Sequence, residues 1–213
     1  MKALLGAHAA GGFATPAVVQ TTEQATASTT VTATWPGTPT NGNLMIVAIP
    51  SGGNATVTTP SGWTAGPTEL GATPDIATFY KVASGESTSL PSFASTSTAR
   101  LMAWEVSGLS GSVDVSQGTV PGSNGTSMDF TPTATTAAAG FAIAVISLGN
   151  SSGGFSNAWD GGFAQRFVLG GSGGSTTGAD CIYSAAAALD TTETWISSRS
   201  RSGLIVAFTA TPL

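Results

Sequence analysis

Charge is what this chain of 213 residues has least of: Asp, Glu, Lys and Arg together make up 8% of it, against about 25% in ordinary soluble domains. Its six basic residues, Lys2, Lys81, Arg100, Arg166, Arg199 and Arg201, are scattered, and eleven acids outnumber them to give a net charge of −5. Neutralising a phosphate backbone takes clustered Lys and Arg, so the composition argues against nucleic-acid binding. Cysteine occurs once, at Cys181, which rules out an intrachain disulfide. Its place before Ile182-Tyr183 suggests a small buried core residue rather than a reactive thiol. The only histidine is His8, and one His with one Cys cannot build a zinc site. No apolar run approaches the ~18 residues of a membrane span. Solubility must therefore come from Thr, Ser, Gly and Asn, a surface with little electrostatic repulsion against self-association.

What is there is one pattern written twice. Val18-Val19-Gln20 returns as Val115-Ser116-Gln117, and the run Leu44–Ile49 returns as Phe141–Ile146. Gly62-Trp63 returns as Ala158-Trp159, Phe79–Ala83 as Ile182–Ala186, and Leu101–Trp104 as Leu204–Ala207. The displacement is 97 or 96 residues at first (117 − 20, 159 − 63) and 103 later (183 − 80, 204 − 101). The step falls at Gly170–Thr176, a Gly- and Ser-rich stretch expected to be a surface-loop insertion. Internal repetition at this period points to two copies of one set of short strands.

Strand signals dominate. Thr30–Trp35 alternates apolar and polar residues, as a strand with one solvated face does. Residues 44–49 and 141–146 are continuous apolar runs, expected as central strands buried on both faces. Turn clusters such as Pro36–Asn43 and Ser51–Asn54 separate them, and no segment combines helical spacing with good helix formers. The expected fold is all-β, an antiparallel, jelly-roll-like β-sandwich built from an internal duplication. Residues 17–213 are expected to form a single domain, with pseudo-repeats at about 17–111 and 112–213 and no linker between them. Residues 1–16 lie outside the repeat and are expected to be an N-terminal arm, retained rather than cleaved because Gly6 and His8 break its apolar part. Free in solution such an arm should be disordered. In an assembly it is expected to lie across a neighbouring subunit, with Leu4, Leu5 and Phe13 as its anchors.

Signals for chemistry are weak. Gly149–Gly153 and Gly170–Gly174 both match the Gly-x-Ser-x-Gly pattern, but neither precedes a helix and no histidine base is at hand. Asp160 and Asp180 are oxygen ligands in principle, yet too widely spaced for a calcium loop, and a turn role is favoured. Glu105 is a lone strand carboxylate; its expected repeat partner is Phe208, so duplication supplies no second acid for glycoside hydrolysis. It is expected at an edge or on a solvated face. Among the five tryptophans, core packing is favoured for all but Trp195, which follows Thr191–Thr194 with no first-half counterpart and is expected at the surface, as a glycan or partner contact. No catalytic residue, metal or cofactor is expected.

The order Pro39–Val47, Pro60-Ser61-Gly62-Trp63, Phe79–Ala83 and Trp104–Leu109 resembles a module of tailed-phage virion structural proteins, decoration or minor tail proteins, and of bacterial surface proteins. Ala139–Ala144 and Gly203–Phe208 match the corresponding places in its second half, so the resemblance spans roughly residues 17 to 210. It implies a non-enzymatic structural protein on the virion surface, forming homo-oligomers and contacting other capsid or tail subunits. The alternative is a carbohydrate-binding module that attaches to host-surface glycans.

Overall fold

The computed structural model describes residues 12–70, 74–121, 123–149, 154–170 and 174–213. Strands β1 (Ala17–Val31), β2 (Leu44–Ser51), β3 (Thr64–Glu69), β4 (Asp75–Val82) and β5 (Phe93–Ser107) form one antiparallel sheet in the order β1-β5-β2-β4-β3. Strands β6 (Leu109–Thr119), β8 (Gly140–Leu148), β9 (Ala164–Leu169), β10 (Ser175–Tyr183) and β12 (Arg201–Ala210) form a second, ordered β6-β12-β8-β10-β9. Strands β7 (Gly125–Asp129) and β11 (Thr192–Arg199) pair as a two-stranded ribbon. The fold is the expected all-β antiparallel sandwich, and no helix occurs among the described residues. Each half of the sequence supplies one whole sheet, in the same spatial order. Long β1 corresponds to β6 and β7 together, and long β5 to β11 and β12.

Three apolar layers hold this arrangement. Leu44, Ile46, Met102 and Trp104 meet Phe141, Ile143, Val145, Leu204 and Phe208 between the sheets. The opposite face of the first sheet, with Met45, Val47, Ile49 and Leu101, is covered by Val31, Trp35, Trp63, Leu90 and Phe93. The opposite face of the second, with Ala142, Ala144, Ile146 and Ile205, lies under Met128, Phe130, Phe155, Phe163 and Trp195. Every residue of β2 and β8 is buried as a result. That is why both strands read as unbroken apolar runs: they are central in their sheets and covered twice. The alternation at Thr30–Trp35 also holds, but it outlasts its strand: β1 ends at Val31, while Val31, Ala33 and Trp35 still point inward.

The repeat is present, but its register differs from the sequence expectation. Thr64 pairs with Tyr80 as Ala164 pairs with Asp180, a displacement of 100 (164 − 64, 180 − 80). Tyr80 therefore corresponds to Asp180, not Tyr183. Trp63 corresponds to Phe163, not Trp159: the Trp63 N–H bonds to Pro60 O at 3.1 Å and the Phe163 N–H to Asp160 O at 3.0 Å, closing the same turn. The connection from Glu69 to Asp75 has the same length as that from Leu169 to Ser175, so Gly170–Thr176 is no insertion, and Thr176 lies within β10. Val106 stands opposite Leu44, and Phe208 opposite Phe141, so the last strands are displaced by 102 (208 − 106) and Glu105 corresponds to Ala207 rather than Phe208. A slip of one residue sends every side chain to the other face. In strands apolar on both faces, sequence alone has no alternation by which to detect that slip.

The chain passes between the large sheets at Gly108. Its φ of 76° lies in the left-handed region, and a Cβ there would meet Thr15 O at 3.0 Å, so glycine alone fits. Beside this crossing the two ends of the described chain run together: the Ala14 N–H donates to Thr211 O at 2.8 Å and the Leu213 N–H to Gly12 O at 2.8 Å. Residues 12–16 are thus held by the chain's own C-terminal segment, contrary to the free arm expected for them. Phe13 bridges to Pro212 and remains 40% exposed. Leu4 and Leu5 lie outside the described residues.

Candidate functional site

Four of the eleven acids are buried: Glu105 and Glu193 are both 0% exposed, Asp75 3% and Asp180 4%. Burying a carboxylate is costly unless hydrogen bonds satisfy it. Glu105, on β5, corrects the expectation of a solvated strand acid. Its Oε1 accepts the Thr40 N–H at 2.8 Å and a bond from Asn43 Nδ2, and its Oε2 accepts one from Gln20 Nε2. Gln20 in turn grips Gly37 at both its N–H and its carbonyl. One carboxylate thereby fixes the whole Gly37–Asn43 turn against β1 and β5.

Glu193 performs the equivalent task in the second half. It accepts Ser156 Oγ at 3.1 Å, the Asn157 N–H at 3.0 Å and the Ala158 N–H at 3.1 Å. Asn157, at φ 61°, holds a left-handed turn there that Asn tolerates better than most residues. Asp180 joins the two sheets. Its Oδ2 accepts the Trp104 indole N–H from β5 at 3.0 Å, and Arg166 binds both its oxygens at 2.7 Å. The Asp180 hydrogen bond is the main reason the Arg166 guanidinium is held above its usual range. Asp160 takes the turn role expected of it, accepting the Thr192 N–H at 2.6 Å.

Trp195, expected at the surface, is only 4% exposed. Its Nε1 donates to Gly125 O at 2.9 Å, Phe155 meets it edge to face at 6.2 Å, and the Arg201 guanidinium lies 5.9 Å from the ring centre. It also has a first-half position: the Ile196 N–H bonds to Gly154 O as the Thr96 N–H bonds to Thr56 O, which sets Trp195 opposite Ser95. Where the first half has a serine, the second inserts an aromatic into its outer layer. Trp35, Trp63 and Trp104 are buried as expected, while Trp159 is half-buried and stacks on Phe130 at 6.3 Å.

Cys181 is buried, and its thiol is pushed up to about 12, first by burial, then by the Asp180 charge, against a lowering backbone hydrogen bond at Ala142. Such a thiol is no nucleophile at neutral pH. Among the described residues no group of three or more His, Cys, Asp or Glu is placed to hold a metal ion. No helix among them is long and apolar enough to cross a membrane. Both Gly-x-Ser-x-Gly stretches have their serine outside the described residues. Sequence reasoning misses Asp75, Asp180 and Glu193 as loop and sheet clamps; for Asp75 and Asp180 the available signal is an acid set between apolar neighbours, as in Ala179-Asp180-Cys181, whereas Glu193 lies between Thr192 and Thr194 and offers none. Comparison with models of known families, with curated proteins and with solved structures found no match.

Proposed function

We propose that the chain is a non-enzymatic structural protein of a tailed-phage virion, displayed on the capsid or tail as a decoration or minor tail protein. The observation that carries this reading is the use made of buried acids. Glu105, Glu193 and Asp180 accept hydrogen bonds from turns and from the opposite sheet, so their charge is spent on rigidity. The residues behind the phage-module resemblance serve the same end. Asn43 binds Glu105, Trp63 fills the outer layer, and Trp104 ties the sheets together. A surface poor in charge makes contacts that salt screens little, which suits packing against other subunits.

The test is direct. Particles from a lysate in which the gene is expressed are banded on a density gradient and probed by mass spectrometry and immunogold labelling. The chain is expected in the particle band, with label on capsid or tail; recovery only in the soluble fraction would overturn the reading. The glycan-binding alternative depended on an exposed ring at Trp195, and that ring lies in the interior.

A further inference from the structure

Five asparagines lie among the described residues, and at four of them the next residue's backbone is tied down. The Gly42 N–H, after Asn41, donates to Ala83 O at 2.9 Å, and Asn41 Oδ1 itself accepts the Gly85 N–H at 2.7 Å. The Ala55 N–H, after Asn54, donates to Asp75 Oδ2 at 2.7 Å, and the Ala158 N–H, after Asn157, to Glu193 Oε2 at 3.1 Å. Asn43 is buried on Glu105, and Leu44 after it opens the central strand β2. Asn124 is different. It is exposed, and its side chain makes no hydrogen bond among the described residues. Gly125 after it opens β7 where the ladder with β11 is interrupted: Ser127 stands opposite Thr194, but Gly125 stands out of step, opposite Arg199.

A cation sits over this backbone. A Cβ on Gly125 would meet the Arg201 guanidinium at 2.6–2.8 Å, so the lack of a side chain there is what lets the cation approach. Arg201 Nη1 donates to Ser123 O at 2.7 Å, and Gly125 O is held by Trp195 Nε1 at 2.9 Å. The guanidinium thus spans the backbone from Ser123 to Gly125, and the chain carries no acid from 115 to 128 or from 194 to 213. We propose that Asn124 is a site of spontaneous conversion to aspartate and isoaspartate, promoted by the Arg201 cation. The Gly125 peptide nitrogen gives its proton to solvent and attacks Asn124 Cγ; the N–Cγ bond forms, the Cγ–Nδ2 bond breaks and ammonia leaves. Water then opens the cyclic imide, at Cγ to give aspartate or at the Asn124 backbone carbonyl to give isoaspartate. Negative charge builds on the attacking nitrogen and then on the Cγ oxygen. A unit cation at about 4 Å is worth about fivefold in rate for such a step even at the dielectric of water. The outcome is a neutral amide turned into a carboxylate beside Arg199 and Arg201, the two basic residues closest in sequence.

The test incubates the intact protein in mildly alkaline buffer, digests it, and follows the peptides carrying Asn41 and Asn124 by mass spectrometry, with isoaspartate marked by isoaspartyl methylation. A parallel sample unfolded in guanidinium chloride gives the rate of each sequence without its fold. Both asparagines precede glycine, so they should react alike when unfolded. In the folded protein Asn41, whose following N–H must first leave its acceptor, should react about tenfold more slowly than Asn124. Arg201→Gln, which keeps an N–H for Ser123 O, should slow Asn124 about fivefold in the folded protein and leave the unfolded rate unchanged. Arg201→Lys restores the cation and should recover most of the lost rate, which a merely structural role of the arginine would not produce. An Asn124 that stays intact in the folded protein, equal folded rates at Asn41 and Asn124, or equal rates in the Gln and Lys variants would overturn the proposal.

Discussion

At Glu105 a single side chain accepts three hydrogen bonds in the interior, and the consequence of altering it follows from that geometry. Glu105→Gln preserves volume but replaces an acceptor oxygen with an N–H aimed at existing donors. The loss expected is about 2–3 kcal/mol, the scale of a buried charged hydrogen-bond acceptor removed, read as a lower denaturation midpoint at unchanged slope. Hydrogen exchange should quicken first at Gly37–Asn43. Cys181 supplies a pH dependence. Its thiol and the Tyr183 hydroxyl are both raised in the fold, each chiefly by burial. The folded state therefore keeps protons that the unfolded state gives up. The stability they contribute is full below the ordinary thiol value of 9.0 and is lost as pH climbs toward about 12. Alkaline unfolding should begin in that window, and Cys181→Ser should leave only the Tyr183 part of the effect. At pH 8 a thiol reagent should label Cys181 no faster than the protein opens; rapid labelling of the native state would contradict the buried position.

Among the elements, register is where sequence and structure parted. The apolar runs at β2 and β8 announced central strands, and the turn clusters marked their ends, because those features depend on local chemistry. The phase of the later strands was not legible. Trp63 and Trp159 look like a matched pair by residue type, yet the shared Pro60-to-Trp63 and Asp160-to-Phe163 turns assign Phe163 to the place of Trp63. Identity of an aromatic misled where hydrogen bonding decides. Trp195 departs from expectation for a related reason: its polar flank leads into a ribbon strand, β11, whose inner face is covered, so Glu193 and Trp195 are buried on either side of exposed Thr194. The two assignments differ measurably. Phe163, 5% exposed, should cost about 3–5 kcal/mol as Phe163→Ala, as a buried aromatic does. Half-buried Trp159 should cost clearly less as Trp159→Ala, although tryptophan is the larger residue. Equal losses, or the reverse order, would restore the pairing suggested by sequence.

For the molecule as a whole, the arrangement of the halves sets how it unfolds. Each half closes its own hydrogen-bonded sheet and its own outer layer, but not the layer between the sheets, where Leu44, Ile46, Met102 and Trp104 pack against residues of the other half. At about 1.5–3 kcal/mol for each large apolar side chain returned to water, separating the sheets costs more than the 5–15 kcal/mol that holds a typical domain. Polar chemistry reinforces this dependence, since the Trp104 indole and Arg166 converge on Asp180 from opposite sheets. A double-mutant cycle of Trp104→Phe and Arg166→Met should therefore show a coupling of about 0.5–3 kcal/mol rather than additivity. It follows that a chain ending at Ser107 should not fold, even though it contains every strand of the first sheet. It should bind hydrophobic dyes and aggregate, and mixing it with residues 108–213 should restore native circular dichroism. In the intact chain, tryptophan fluorescence reports all three layers, Trp35 and Trp63 in one, Trp104 in the middle, Trp159 and Trp195 in the third, and far-ultraviolet dichroism the strands; the two should trace one coincident transition. Two separated transitions, or a soluble and ordered first half, would mean that the layer between the sheets is dispensable, and with it the reason for placing Trp104 and Asp180 where they meet.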